Sequence, residues 1–162
     1  MQDEIEFREM RQGEENAVWD VVNRTFNEFI APAYSPEGVE SFYKFVNLDS
    51  ISQLFNEGYP VFTAIVALFK RQIIGVISFR VIDNCCHITL LFVEKQYHRK
   101  GTAKGLLNHA LDVCRCHNPD LSEITVNSSP YAVAIYEKLG FYQAAPEQVR
   151  DGIRFTPMVL KI

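Results

Sequence analysis

The sequence predicts a mixed α/β fold in which a mostly antiparallel central sheet of about seven strands is flanked by about four helices. Residues 61–93 contain three runs rich in Val, Ile and Phe, separated by short polar turns, which is typical of neighbouring antiparallel strands. Before and after these runs, apolar residues recur at steps of three and four, which is typical of amphipathic helices. Because the chain has 162 residues, of which 48% are hydrophobic, we expect residues 1–162 to form one domain.

The N-terminal part is predicted to contain one strand and two helices. Residues 5–9 alternate weakly between polar and apolar side chains, and a helix with one apolar face follows from Gly13 until Pro32. Ser35 is a typical N-cap residue, and Pro36 suits the first position of a second helix. The apolar residues of this second helix are Val39, Phe42, Tyr43 and Val46.

The centre of the chain is predicted to form three strands and then the clearest helix. The strands cover residues 61–69, 73–82 and 87–93, and tight turns join them. The helix begins at about Gly101, carries one apolar stripe, and ends at Asn118-Pro119-Asp120.

The C-terminal part is predicted to contain a strand, a helix and a hairpin. The strand covers residues 123–126, and the helix covers residues 131–139 and is stopped by Gly140. Residues 141–149 and 153–160 flank Asp151-Gly152, a pair that favours the positive φ angles of a two-residue hairpin turn.

Composition excludes several classes of function. The net charge is −4, from 20 acidic and 16 basic residues, whereas a nucleic-acid-binding protein would present a basic face. Cys114-x-Cys116-His117 lacks the second cysteine pair of a zinc site, so we expect reduced thiols and no metal. The acidic start, Met1-Gln2-Asp3-Glu4, and the lack of a long apolar run indicate a cytoplasmic protein with no membrane partner.

The segment around residues 90–107 predicts an anion site. A buried strand ends at Val93, a basic turn follows, and a helix begins, so several backbone N–H groups and the helix dipole point at one place. Arg99, Lys100 and Lys104 add positive charge there. The segment lacks both the Gly-Lys-Ser/Thr of a nucleoside-triphosphate loop and the three glycines of a dinucleotide fingerprint. It therefore favours a different phosphate or pyrophosphate ligand.

Two motifs and the predicted order of elements resemble the GNAT superfamily of acetyl-coenzyme A (acetyl-CoA)-dependent N-acetyltransferases. The pyrophosphate motif of that superfamily, Gln/Arg-x-x-Gly-x-Gly/Ala, corresponds to His98-Arg99-Lys100-Gly101-Thr102-Ala103. Its second signature, Tyr-Glu-Lys-x-Gly-Phe, corresponds to Tyr136-Glu137-Lys138-Leu139-Gly140-Phe141. The motifs place the local resemblance at residues 87–142, and the strand order extends it to nearly the whole chain.

The resemblance implies a GNAT-like fold with a splayed pair of strands that holds acetyl-CoA. It implies transfer of the acetyl group to a primary amine of a small molecule or peptide, by direct attack through a tetrahedral intermediate and without a metal. Leu91, Phe92 and Val93 would offer backbone groups to the pantetheine arm and the thioester. The other implied cofactor-binding residues are His98, Arg99, Lys100, Gly101, Thr102, Ala103, Lys104 and Ser129. Asn127 is an alternative to Ser129.

Two side chains are the predicted catalytic groups. By resemblance, the Tyr136 hydroxyl would protonate the leaving thiolate, which suits a phenol with an ordinary pKa of about 10. His87 lies six residues before Val93, where some members carry a carboxylate base, and strand alternation predicts that His87, Thr89, Leu91 and Val93 share one face. Direct loss of the amine proton to water is an equal alternative to the base role of His87.

The sequence departs from the family pattern at three positions. His98 stands where Gln or Arg usually opens the pyrophosphate motif, and Ser129 stands where an asparagine is common. Ile124 stands where some members that acetylate protein N-termini carry a glutamate, which disfavours that substrate class.

The acceptor site is expected between the first two helices and the final hairpin, as the resemblance implies. Aromatic and acidic residues there predict a pocket for a cationic amine, and a small molecule is favoured over a protein. These residues are Phe26, Phe29, Tyr34, Phe42, Tyr43, Phe45, Glu28, Glu37 and Glu40. The alternatives are that they form core and solvated surface, and that the chain is a catalytically silent acetyl-CoA-binding module or a generic phosphate-binding domain. A homodimer is also an open alternative.

Overall fold

The computed structural model describes residues 4–162, so Met1, Gln2 and Asp3, on which the expected location partly rests, lie outside the described residues. Within this range the chain forms eight strands and five α-helices. The strands are β1 (Glu6–Glu9), β2 (Thr63–Phe69), β3 (Gln72–Ile82), β4 (Cys85–Val93), β5 (Glu123–Ser128), β6 (Tyr142–Gln143), β7 (Gln148–Arg150) and β8 (Ile153–Lys161). The helices are α1 (Glu15–Thr25), α2 (Pro36–Phe45), α3 (Leu48–Glu57), α4 (Thr102–His117) and α5 (Val133–Lys138).

The strands form one mixed sheet in the order β1-β2-β3-β4-β5-β8-β6, and β7 pairs separately with β8. Only β4 and β5 are parallel among the paired strands that the structure describes. The predicted fold class is therefore confirmed, and the three central runs are antiparallel neighbours as expected.

Helices cover both faces of the sheet and create two cores. On one face, α4 buries Leu106, Leu107 and Ala110 against the central strands. On the other face, α1 buries Val18, Val21 and Val22 beside α3. No helix within residues 4–162 combines the length and apolarity that crossing a bilayer requires.

Local sequence signals set several boundaries as predicted. The Gly38 N–H donates to the Ser35 hydroxyl 3.2 Å away, which confirms the N-cap of α2. Gly140 follows α5 with a φ of 101°, and Asp151 and Gly152 turn the β7–β8 hairpin with φ angles of 53° and 77°. These turns fix where the last elements begin.

Two differences from the prediction explain why the structure has more elements than expected. Helix α3 was missed, although Asn47 and Ser50 form a reciprocal capping box at its start. The predicted strand over residues 141–149 is two short strands, because Pro146 lies between β6 and β7.

A β-bulge at Thr89 changes the faces of β4. Ser78 pairs with Leu90 and Phe79 with Ile88, so Thr89 is an extra residue on its strand. Leu91 and Val93 consequently pack on the α4 face, whereas Leu90 and Phe92 pack on the α1–α2 face. Cys86 and Ile88 also face α4, so His87 between them faces the α1–α2 side. The prediction that His87, Thr89, Leu91 and Val93 share one face is wrong, because simple alternation does not continue through a bulge.

The parallel pair β4–β5 separates towards its carboxyl end. Pairing runs from Cys85 with Glu123 to Ile88 with Val126 and then stops. Beyond that point β4 remains paired with β3 and β5 remains paired with β8, so each strand end keeps one neighbour. The splayed strand pair that the resemblance implied is therefore present.

A backbone contact joins α2 to the tip of the β7–β8 hairpin. A Cβ added to Gly38 would overlap the carbonyl group of Gly152, so the two chains touch without an intervening side chain. The Ser41 hydroxyl donates to the Asp151 carbonyl 2.7 Å away. The Arg154 guanidinium donates to the Ala33 carbonyl at 3.2 Å. The hairpin is therefore held against the segment between α1 and α2.

Candidate active site

The space between the separated ends of β4 and β5 is a cleft of about 840 Å³. Residues 88–93 of β4 and residues 126–129 form its two edges. The first turn of α4 and most of α5 line the cleft on one side of the sheet, and the segment between α1 and α2 lines it on the other. The cleft thus reaches both faces of the sheet at the point where strand pairing ends.

The turn between β4 and α4 presents unpaired backbone N–H groups to this cleft. Arg99 and Gly101 have φ angles of 61° and 77°, which bend the chain sharply before α4 begins. The first helical bond is Gly105 N–H to Gly101 carbonyl, at 2.9 Å, and no side chain caps the helix. The N–H groups of residues 102–104 therefore have no helical acceptor. Together with the helix dipole and the nearby Arg99 and Lys104, these N–H groups make a positively polarised surface that is chemically suited to a phosphate group.

His98 connects this turn to the end of β4. Its Nε2 lies 2.6 Å from the Val93 carbonyl oxygen. Because a carbonyl oxygen only accepts, Nε2 carries the proton. The His98 ring also packs against Phe29, with 5.0 Å between ring centroids. The histidine thus fixes the turn against the strand and the first helix.

Ten of the eleven predicted cofactor-binding residues line the cleft: Leu91, Phe92, Val93, His98, Arg99, Gly101, Thr102, Ala103, Lys104 and Ser129. Lys100 does not line it; its Nζ lies 5.7 Å from the centroid of the Tyr97 ring. The Ser129 hydroxyl accepts a hydrogen bond from the Ala132 N–H at 3.3 Å, and Asn127, the alternative, also lines the cleft.

Tyr136 lies at the α5 side of the cleft. Its side chain is 5% exposed, and its ring packs edge-on against Phe141 with 5.2 Å between centroids. Burial raises the pKa of its hydroxyl, because a phenolate would lose its hydration there. The hydroxyl is therefore protonated at neutral pH and can donate a proton.

His87 lies outside the cleft that contains Tyr136. It lines a separate hollow of about 450 Å³ together with Arg80 and Thr125, and its Nδ1 is 2.8 Å from the Thr125 hydroxyl. Burial, and secondarily the charge of Arg80, lowers the pKa of His87, so its ring is neutral at pH 7. The bulge places it on the same face as Leu90 and Phe92, which border the cleft.

The expected acidic pocket is not formed by the predicted glutamates. Among the residues that the structure describes, no Asp or Glu lines the cleft. Glu28 instead pairs with Lys95 at 3.1 Å, and Glu37 and Glu40 are exposed on α2. The alternative that these glutamates belong to the solvated surface fits Glu37 and Glu40. The Glu28–Lys95 pair was not predicted, because it joins residues that are distant in the chain.

The predicted aromatic residues divide between the core and the cleft. Phe29, Tyr34 and Phe42 line the cleft, whereas Phe26 is fully buried and stacks on Phe42 with 3.7 Å between centroids. Phe45 is 62% exposed on α2. Tyr43 belongs to the α1–α2 core.

The cleft residues that were not predicted from the sequence include Tyr97, Tyr131 and Lys138. Tyr131 stacks on Phe29 with 4.9 Å between ring centroids, and so joins the loop after β5 to the end of α1. A π-helical turn, Phe26–Ile30, directs Phe29 and Ile30 into the cleft. Such a turn has no simple sequence signal.

Within residues 4–162, no three metal-ligating side chains come together.

Comparison with known proteins agrees with this arrangement. A curated human protein, cysteine-rich protein 2-binding protein, is 34% identical over 86 residues. The match covers 51% of this chain but only 10% of that protein, so the chain spans about a tenth of the length of this relative.

Solved structures share the fold over almost the full length. A PaiA N-acetyltransferase from Thermoplasma acidophilum, solved in complex with coenzyme A, has a TM-score of 0.78 at 20% identity and covers 98% of this chain and 99% of its own. The ribosomal-protein-S18-alanine N-acetyltransferase from Escherichia coli has a TM-score of 0.70 at 17% identity, covering 98% and 94%. At these identities the likeness establishes the fold alone.

A family model described as an acetyltransferase (GNAT) domain matches residues 30–162. The matched segment contains the splayed strands, the turn between β4 and α4, and Tyr136. This chain therefore belongs to the GNAT acetyltransferase family.

Proposed function

We propose that this chain transfers the acetyl group of acetyl-CoA to a primary amine, and that residues 1–162 act as one cytoplasmic N-acetyltransferase domain. Family membership makes the chain an acyltransferase that uses acetyl-CoA as its cosubstrate. The amine acceptor and the roles of individual residues are the proposed parts.

The proposal rests on the observation that three features border one cleft. Strand ends without a partner, free N–H groups at the start of α4, and the buried Tyr136 hydroxyl all border the same space. The N–H groups suit the pyrophosphate of acetyl-CoA, and the unpaired backbone of β4 suits its pantetheine arm. A β4 backbone N–H directed at the thioester carbonyl would stabilise the oxyanion that forms during attack.

Two proton transfers complete the proposed reaction. Tyr136 gives its proton to the departing thiolate, because its raised pKa keeps it protonated until the thiolate forms. The amine proton passes to His87 through intervening water, since His87 lies outside the cleft but on the acceptor face of β4. Direct loss of this proton to water is the alternative mechanism.

The function is tested by measuring free thiol released from acetyl-CoA in the presence of primary amines, together with calorimetric binding of acetyl-CoA. We expect both binding and amine-dependent release. Binding without release for any amine would indicate the catalytically silent module instead, and no binding would contradict the transferase assignment.

Replacing Gly101 tests the anion site. Gly101→Glu puts a negative charge beside the free N–H groups, so we expect acetyl-CoA affinity to fall at least about 100-fold by calorimetry. Gly13→Glu is a matched control, because Gly13 also has a positive φ and open space around it but is far from the cleft. Unchanged affinity of Gly101→Glu would contradict the assignment.

Replacing Tyr136 tests the proposed acid. Tyr136→Phe removes only the hydroxyl, so we expect kcat to fall by about 100-fold while the KM for acetyl-CoA changes less than about threefold. Tyr142→Phe, at a residue that is 49% exposed on β6, should leave both constants unchanged. Equal losses of turnover and acetyl-CoA affinity would show that Tyr136 serves packing.

Replacing His87 tests the proposed base through the pH dependence of kcat. Because the pKa of His87 is lowered, the histidine accepts protons at pH 7 and loses this ability only below its ordinary value of about 6.5. We expect an acidic limb below that pH, and we expect His87→Ala to remove it. His117→Ala, at the exposed end of α4, is the control. An unchanged limb in His87→Ala would assign proton loss directly to water.

A further inference from the structure

The part of the cleft on the α1–α2 side, here called the acceptor end, is mostly apolar. Its lining residues are Thr25, Phe29, Ile30, Tyr34, Phe42, Val46 and Ile153. The Thr25 hydroxyl donates to the Val21 carbonyl, and burial raises the pKa of the Tyr34 hydroxyl, so that the Tyr34 hydroxyl stays neutral. A molecule bound here would contact hydrocarbon and aromatic rings.

Three carboxylates near the acceptor end are paired with cations, whereas Glu37 and Glu40 are exposed on α2 and do not line the cleft. Glu28 pairs with Lys95 at 3.1 Å, and Glu94 pairs with Arg24.

The third carboxylate, Glu147, accepts from Arg154 at 3.1 Å. The charged side chains that do line the cleft are cationic: Arg99, Lys104 and Lys138, on the cofactor side. A second positive charge on an acceptor would therefore find no carboxylate along the described lining, and would lose hydration.

The acceptor end is closed on one side by backbone contact. Gly38 of α2 and Gly152 of the hairpin touch directly, and the Ser41–Asp151 and Arg154–Ala33 hydrogen bonds reinforce that contact. An internal segment of an extended polypeptide needs a groove open at both ends. A compact molecule needs only an entrance.

We propose that the acceptor is a compact monoamine with an apolar alkyl or aryl substituent, rather than a polyamine or a protein chain. This inference rests on the proposed N-acetyltransferase function and specifies its substrate class. The substituent packs among Phe29, Ile30 and Val46. Desolvation by the apolar lining favours the neutral amine, which is the nucleophilic form.

The reaction balances without another reactant. The amine nitrogen bonds to the thioester carbonyl carbon and the carbon–sulfur bond breaks. The thiolate takes the Tyr136 proton. The proton on the amine nitrogen is lost to water, and water in turn reprotonates Tyr136. The products are an N-acetyl amide and free coenzyme A.

The test compares phenethylamine and hexylamine with spermidine and an Ala-Gly-Gly peptide in the thiol-release assay at one fixed pH. We expect kcat/KM for the two apolar monoamines to exceed that for spermidine and for the peptide by at least about 10-fold. A charge-introducing variant, Ile30→Glu, should reduce this preference for phenethylamine over spermidine at least about 10-fold.

Val149→Glu is the matched control, because it adds the same charge at a residue that is 66% exposed and outside the cleft. It should keep the preference of the unaltered chain. If Ile30→Glu does not fold, as judged by circular dichroism, Ile153→Glu places the carboxylate on the opposite wall of the acceptor end.

The outcomes separate this inference from the function on which it rests. Acetyl-CoA binding with better turnover of spermidine or of the peptide would overturn the inference and leave the N-acetyltransferase function standing. A preference that neither acceptor-end variant changes would also overturn it. Failure to bind acetyl-CoA would remove the proposed function itself.

Discussion

The end of pairing between β4 and β5 is the constraint on which the rest of the site depends. After Ile88 and Val126, each strand keeps a single neighbour, so backbone polar groups on the inner edges have no partner in the sheet. Such groups are costly when buried without a hydrogen bond. In the proposed function, the amide-containing pantetheine arm of acetyl-CoA binds along this open edge and supplies the missing hydrogen-bond partners.

Contacts at the turn after β4 connect the cofactor side of the cleft to its acceptor end. His98 bonds to the Val93 carbonyl and packs on Phe29, while the Glu94–Arg24 and Glu28–Lys95 pairs link the same turn to the end of α1. The turn between β4 and α4 and the acceptor end of the cleft are therefore held by the same set of contacts. The exposed ion pairs add little stability by themselves, but their convergence with the ring contact fixes the relative position of the two walls.

Sequence reasoning succeeded where local chemistry decides the structure. The three central strands, α4, the Ser35 cap and the Asp151-Gly152 turn all follow from neighbouring residues. The predictions were wrong where an inserted residue or a partner distant in the chain determines the structure. The bulge at Thr89 moves Leu91 and Val93 to the opposite face of the sheet from His87. Glu28 is neutralised by Lys95, which lies after β4. The turn between β4 and α4 was predictable because the strand end, the glycine and the helix start are contiguous in the sequence. The charge of the acceptor end was not predictable, because it depends on residues that are distant in the chain.

The most direct measurement is a nuclear magnetic resonance titration of the ¹⁵N-labelled chain with coenzyme A, following each backbone amide. The account predicts the largest changes at the N–H groups of residues 102–104 and along residues 90–93, because these groups bind the pyrophosphate and the pantetheine arm. Saturable binding that leaves both sets of amides unchanged would contradict the account, since the ligand would then occupy some other part of the molecule.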